Sequence, residues 1–482
     1  MNKRWVLPLA ITLSLLVGLV GGLYMGPNIF LKWDAPKNDK LKQEPTTNKD
    51  DQLELVKVEQ VYQLIKEHYI EKMTDDDLIT GAIEGMVAKL KDPYSVYMDK
   101  EAANQFRESL DSSFEGIGTE IGVEDDKIII VSPYKNSPAE EAGLKAKDEI
   151  LSVNDESVQG LNVQDVSVKI RGKKGSKVKL EIKRPGVTKI LTFEIIRDTI
   201  PIETVHSKIK EESGEKLGYI EITQFSSETA ADFKRQLKVL EVKDIKGLII
   251  DVRGNPGGLL SSVDEIVSEL IINEKPYLQI ERRNGEHEKL FSKLKEKKPY
   301  NIAVLIDNGS ASASEILAAA LQEAGGYELI GDKTYGKGTV QQAVKLDDGS
   351  NIKLTLAKWL TPDGNWIHKT GIEPTIAIKQ PKLFNTQAIN IEKTLKRDMT
   401  GDQIQHAQDI LRVLGYEPGR NDGYFDLKTE IAVKAFQNNS GVKATGKIDV
   451  KTARLLEQKV SSKMKDDDND LQLRTALRYL VK

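Results

Sequence analysis

Two short apolar runs constrain the fold of this chain most. Gly247-Leu248-Ile249-Ile250-Asp251-Val252 and Asn301-Ile302-Ala303-Val304-Leu305-Ile306-Asp307 lack the polar–apolar alternation of a half-exposed strand. Such runs are strands buried on both faces, as in a mostly parallel sheet covered by helices. Each run empties into a turn of small residues and then a helical stretch. Arg253-Gly254-Asn255-Pro256-Gly257-Gly258 precedes a helix from Ser261 to Ile271, and Asn308 to Glu315 precedes one from Ile316 to Gln322. With a strand at Leu217–Ile222 and a helix from Glu228 to Val239, the region 217–380 alternates as an α/β unit.

That unit is a fraction of 482 residues, a length that suggests roughly three domains at ~100–200 residues each. Charged residues at 30% and hydrophobic ones at 39% describe a soluble body, neither disordered nor polytopic. A net charge of −4 argues against a nucleic-acid partner, which would draw a strongly basic surface. With Cys 0, disulfides, thiolate metal sites and a cysteine nucleophile are excluded. His68, His206, His287, His368 and His406 are the whole histidine supply, and no two have metalloprotease i, i+4 spacing. No metal site and no cofactor are expected.

The N-terminus reads as a membrane anchor. Lys3-Arg4 precede a mostly apolar run from Trp5 to Phe30, and ~20 apolar residues span a bilayer as a helix. The exit Gly22-Leu23-Tyr24-Met25-Gly26-Pro27 is a poor cleavage site, which favours an uncleaved signal anchor over 1–31 rather than a secreted form released by signal cleavage. The basic flank keeps the first residues cytoplasmic and places the rest outside. Residues 32–51 read as a solvated linker. Two helices are expected next, at 52–72 and from Thr74 to before Pro93, with their apolar residues as core.

Residues 114–197 turn to short strands. Gly116-Ile117-Gly118-Thr119, Ser137-Pro138-Ala139 through Gly143-Leu144, and Asp148-Glu149-Ile150-Leu151-Ser152-Val153-Asn154 together resemble a bacterial PDZ domain. A glycine-rich turn leaves backbone N–H groups free to capture a C-terminal carboxylate, and the peptide then adds as a strand at an open edge. Gly116, Ile117, Gly118 and Thr119 are the loop candidates, with Ile121, Val166 and Ile170 beside Ile117 as groove candidates. Arg171 and Gly172-Lys173-Lys174-Gly175 close the groove helix, where a PDZ domain could contact and obstruct the α/β unit. The segment 398–458, with Asp422-Gly423 and Ala432-Val433-x-x-Phe436-Gln437, resembles a three-helix peptidoglycan-binding domain. Behind it come an acidic run from Asp466, expected to be solvated, and an amphipathic helix.

The chemistry lies at the two strand-to-helix turns. Ser310, Ser312 and Ser314 crowd the second, where Ser312-x-x-Glu315 also fits a helix-capping box. No Gly-x-Ser-x-Gly elbow exists. Lys337, in Gly336-Lys337-Gly338-Thr339-Val340-Gln341, lacks the order of a phosphate loop. With no plausibly placed histidine, a Ser–Lys pair is the economical choice, and the residues alone leave the three serines open.

Gly309 to Ile316 and Gly336 to Gln341 resemble the carboxyl-terminal processing (tail-specific) serine proteases. So do Asp251 to Gly258, Asp92-Pro93-Tyr94-Ser95, Thr361-Pro362-x-Gly364 and Gly371-Ile372-Glu373-Pro374. The resemblance implies Ser312 as nucleophile, Lys337 as general base and Gln341 as the group that positions the lysine. An oxyanion hole would draw on the N–H groups of Ala313, at a helix N-terminus, and of Gly257 and Gly258. The implied fold is an α/β protease core with an inserted PDZ domain (β-rich, two-helix), N-terminal helices and a small C-terminal helical domain. The expected boundaries are helices 52–101, PDZ 102–197, protease core 198–380, linker 381–397, peptidoglycan-binding-like unit 398–458 and tail helix 459–482. The implied activity is endoproteolysis outside the membrane, on protein or peptide substrates whose free C-terminus the PDZ domain reads. Peptidoglycan and a second copy of the chain are the further partners. The rival class is a catalytically silent envelope scaffold built from the PDZ and glycan-binding modules.

Overall fold

The computed structural model describes residues 49–482 apart from 125, 126 and 392. The expected anchor, and the linker up to residue 48, lie outside the described residues. Among the described residues, no helix is long and apolar enough to cross a membrane.

The α/β unit expected as the protease core is built on a six-stranded sheet in the order Val205–Glu212, Glu215–Ile222, Gly247–Asp251, Asn301–Ile306, Glu328–Gly331 and Ile376–Ala377. The first pair is an antiparallel hairpin, and every later pairing is parallel. All of Gly247–Asp251 is buried, as its unbroken apolar run predicts. Helices Thr229–Glu241, Leu260–Leu270 and Ala313–Ala319 pack on one face through Phe233, Leu237, Ile266 and Leu317.

The other face is covered from the far end of the chain. Helix Leu471–Leu480 lays Leu473, Ala476, Leu477 and Leu480 against Leu217, Tyr219, Ile249, Ala303 and Leu305. The acidic run before it is therefore not simply solvated. Asp470 caps this helix and clamps Arg253, while Asp467 pairs with Lys210. The unit expected as a separate tail completes the core.

A second, five-stranded sheet joins Val96–Met98, Asn351–Leu360, Pro276–Arg282 and His287–Phe291, with Thr339–Lys345 also paired to Asn351–Leu360. Helix Lys100–Leu110 buries Ala103 and Phe106 against Met98, Leu259 and Ala343 of this body. The first residues assigned to the PDZ domain thus pack with the α/β body instead.

The PDZ module hangs from a neck. Ser113–Gly116 and Asp198–Pro201 form a two-stranded antiparallel ribbon that pairs Gly116 with Asp198. Beyond it lies a sheet of Thr119–Glu124, Lys127–Pro133, Glu149–Val153, Lys177–Lys183 and Leu191–Ile196, with Glu156–Ser157 at its side and helices Pro138–Glu141 and Val163–Ile170.

In the C-terminal unit, helices Asp402–Val413, Leu427–Asn439 and Val450–Met464 enclose Ile404, Leu411, Phe425, Phe436 and Leu456. Leu383, Ile389 and Leu395 of the expected linker are buried in the same core.

The first two helices depart from expectation. Lys49–His68 and Asp75–Ala88 carry apolar residues at helical spacing, yet Leu55, Val61, Leu64, Ile79 and Met86 are exposed. Periodicity identified the helices, but among the described residues nothing covers these apolar positions.

Candidate active site

Strand Asn301–Ile306 ends in a turn held from several sides. Asp307 Oδ1 accepts the N–H groups of Gly254 at 2.8 Å, Gly309 at 2.9 Å and Ser310 at 3.1 Å. The three neighbouring serines are all buried, but their hydroxyls differ. Ser310 Oγ donates to the Val252 carbonyl at 2.7 Å, and Ser314 Oγ donates to the Asn255 carbonyl at 2.7 Å. Ser312 Oγ has no hydrogen-bond partner among the described residues. Ser312 also has φ 54° and ψ −112°, in a region that a residue with a Cβ occupies only when its surroundings impose it. It stands at the N-terminal end of helix Ala313–Ala319, which continues as a π-helical turn Ala320–Ala324.

Glu315 supplies part of that imposition. Its buried carboxylate accepts four hydrogen bonds: from Ser312 N at 2.8 Å, Lys337 N at 2.8 Å, Gly336 N at 2.7 Å and Thr334 Oγ1 at 2.6 Å. The capping-box pattern is thus put to wider use, tying the serine turn to the lysine loop. Burial pushes this carboxyl above its usual range, and the four donors act against that push.

Lys337 is 4% exposed. Its Nζ sits 4.8 Å over the ring of Tyr94, from the segment Asp92-Pro93-Tyr94-Ser95. Burial, followed by the like charge of Lys353, pulls the ammonium down to about 7, while Glu315 and Asp92 pull the other way. Gln341 Nε2 donates to Thr339 Oγ1 at 2.8 Å and to Thr355 Oγ1 at 3.2 Å. Those bonds fix the carboxamide and leave Gln341 Oε1, an acceptor, buried and without a partner among the described residues. Ser312, Lys337 and Gln341 thus share one buried neighbourhood without hydrogen bonds joining them.

The glycine turn beside the serine resolves into two roles. Gly257 N donates to Asn255 Oδ1 at 2.9 Å, so the N–H expected for an oxyanion is already engaged. Gly257 instead supplies space. With φ 107°, a Cβ there would lie 2.8 Å from Ala311 O, 2.9 Å from Ser312 Cβ and 3.0 Å from Ala313 N. Gly258 bridges Phe225 through its neighbours, since Phe225 N donates to Gly257 O and Leu259 N donates to Phe225 O. The N–H groups of Gly258 and Ala313 make no hydrogen bond among the described residues.

Arg253 and Asp251 hold the turn. Tyr219 Oη donates to Asp251 at 2.7 Å, and Arg253 bridges Asp251 and Asp470 at 2.6 and 2.8 Å. Tyr94, Thr355 and Lys353 stand in the site with no role expected of them, and Glu315 was expected only as a helix cap. Two of these stood inside quoted motifs, Asp92–Ser95 and Ser312-x-x-Glu315. His368 also approaches, stacked on Trp366 at 5.2 Å and edge-on to Tyr94 at 6.1 Å, but no hydrogen bond joins it to Ser312.

In the PDZ module Gly118 has φ 74°, and Ser137 Oγ donates to its carbonyl at 2.8 Å. Ile117, Val166 and Ile170 are core residues, each at most 5% exposed, whereas Ile121 is half-buried beside them. Three of the four apolar groove candidates therefore form the module's interior. Gly116 belongs to the neck, and Thr119 opens the strand Thr119–Glu124.

The profile of peptidase family S41 matches residues 216–378 and that of a PDZ domain residues 129–184. A peptidoglycan binding domain profile matches 400–456, and one for the N-terminal domain of the activating protease CtpB matches 15–102. The carboxy-terminal processing protease CtpB of Bacillus subtilis (strain 168) is 53% identical over 459 residues, covering 95% of each chain. CtpA of the same organism is 44% identical over 426 residues, covering 88% of this chain and 90% of its own. Among solved structures, the photosystem II D1 C-terminal processing protease covers 69% of this chain and 94% of its own at 26% identity, with a TM-score of 0.42. The chain belongs to the carboxy-terminal processing serine proteases of peptidase family S41.

Proposed function

We propose that the chain is a membrane-tethered extracytoplasmic endopeptidase working through a Ser312–Lys337 pair, with substrate tails read by its PDZ module. The observation that carries the mechanism is the contrast at the serine turn. One hydroxyl of three is free and held in a strained conformation, in the same buried site as an amine kept near 7. A neutral Lys337 takes the Ser312 proton as the oxygen attacks the scissile carbonyl, and returns it to the leaving amine. Gln341 Oε1 accepts from the lysine and aims it. The N–H groups of Gly258 and Ala313 receive the oxyanion in the space that Gly257 leaves open.

Full-length protein carrying Ser312→Ala or Lys337→Ala should lose at least ~10³-fold in turnover of an unstructured protein while remaining folded. Retained activity in either variant would overturn the pair. Loss in Ser310→Ala or Ser314→Ala alone would move the nucleophile.

The PDZ loop offers carboxylate capture at Gly116 to Thr119, with strand addition beside Thr119–Glu124. Substrates with a free C-terminus should bind more tightly than their amides. The apolar run Trp5–Phe30 supports the tether, to be checked by membrane fractionation of full-length protein against a chain starting after residue 31. The C-terminal unit is assigned to peptidoglycan, with sedimentation on purified cell wall as its test. The exposed face of Leu55, Val58, Val61 and Leu64 suits a second copy of the chain, and light scattering reads that directly.

A further inference from the structure

A second amine is buried on the strand whose Thr355 orients Gln341. Lys353 is 3% exposed, on strand Asn351–Leu360. Across the ribbon it pairs with Ala343, while Thr355 pairs with Gln341. Alternate residues of a strand share a face, so Lys353 lies on the same side as Thr355, the threonine that orients Gln341. Its Nζ lies 4.9 Å over the ring of Phe106. Among the described residues no carboxylate closes an ion pair with it, and the anion that reaches it is Asp92.

The charges facing Lys337 come from each surrounding element. Glu315 comes from the serine helix, Asp92 from the loop before strand Val96–Met98, and Lys353 from the long strand. Tyr94 covers the amine with its ring, and His368 packs behind Tyr94. Both carboxylates are already committed. Glu315 holds its four donors, and Asp92 accepts Tyr94 N at 3.1 Å and Ser95 Oγ at 2.6 Å. Two amines in one dry site cannot both keep a proton cheaply, because each disfavours the charge on the other.

We propose that Lys353 is a positioning residue for proteolysis: its ammonium, seated on Phe106, drives the proton off Lys337 and so sets the pH at which the base becomes available. Burial lowers both amines; the Lys353 charge bears on Lys337 in addition, whereas Asp92 favours the charge on Lys353, so Lys337 is the one that gives up its proton first. The proposal rests on the reading of Lys337 as the base, which the Lys337→Ala experiment decides separately.

The test is the pH profile of kcat/KM for the full chain on an unstructured peptide. Lys353→Met and Lys353→Gln should move the acid limb upward by ~1 pH unit, the size of effect one neighbouring charge exerts. The rate at high pH should stay near wild type. Lys353→Arg should leave the limb in place. An unmoved limb in a folded neutral variant, or a lower plateau with no shift, overturns the proposal. Should neither neutral variant fold, the lysine Cε resonances of Ser312→Ala protein decide. The lysine that loses its proton first should have that transition reported in the resonance of a second lysine that is still charged, and the absence of any second responding lysine overturns it.

Discussion

Lys337 holds an amine that unfolding releases to water, where its value is 10.5 rather than about 7. Between those limits the unfolded chain binds a proton the folded chain lacks. Stability from this group therefore rises as pH climbs from about 7 to 10.5, and the full penalty for a buried ammonium is present below 7. Lys337→Met should accordingly raise the melting temperature, on the order of 2–5 °C and most clearly on the acid side, while abolishing turnover. Calorimetry at acid and alkaline pH checks the sign. Wild-type activity should itself rise with pH through about 7, since only the neutral amine is a base. Gly257→Ala sets a Cβ against Ala311 O and Ala313 N, where the oxyanion would sit. It should cut kcat by ~10²-fold or more with little change in KM. Glu315→Gln replaces two acceptor oxygens by one and turns an NH₂ on N–H donors. A loss of ~2–4 kcal/mol in urea unfolding is expected, with a fall in kcat.

At the scale of elements, the catalytic turn depends on a helix more than a hundred residues downstream. Leu471–Leu480 covers one face of the sheet, and its capping residue Asp470 holds Arg253 at the start of the glycine turn. A chain ending at residue 465 would bare Leu217, Ile249, Ala303 and Leu305 and leave Arg253 with Asp251 alone. It should be poorly soluble and inactive. Asp470→Asn keeps the apolar cover, and should cost ~1–3 kcal/mol while preserving most activity. Circular dichroism melts of the two variants separate apolar cover from ion-pair geometry.

Across the whole molecule, the neck makes the PDZ module separable. Gly116 and Asp198 are paired, so residues 117–197 can be exchanged for a short turn without stretching the ribbon. Arg171 connects the module to its base, reaching Glu108 at 3.6 Å and lying over Phe114 at 4.7 Å. If the module restrains the protease at rest, its deletion should raise basal cleavage of an unstructured peptide and erase discrimination between acid and amide tails. Unchanged or lower basal cleavage from a folded deletion would show that the module activates or delivers instead.

Local chemistry made the α/β core, the PDZ strands and the three-helix unit legible in the sequence, because apolar period, turn residues and caps act over a few neighbours. Gly247–Asp251 is buried on both faces as its composition demands. The family resemblance brought Ser312, Lys337 and Gln341 forward, where the residues alone left three serines open. Which serine carries a free hydroxyl was decided in three dimensions, by carbonyls of Val252 and Asn255 some sixty residues upstream. So were the engagement of the Gly257 N–H, the second lysine beside Gln341's strand, and the return of the last helix to the protease sheet. Each depends on contacts between distant segments, and hydrophobic period specifies only that a face must be covered, not which segment covers it.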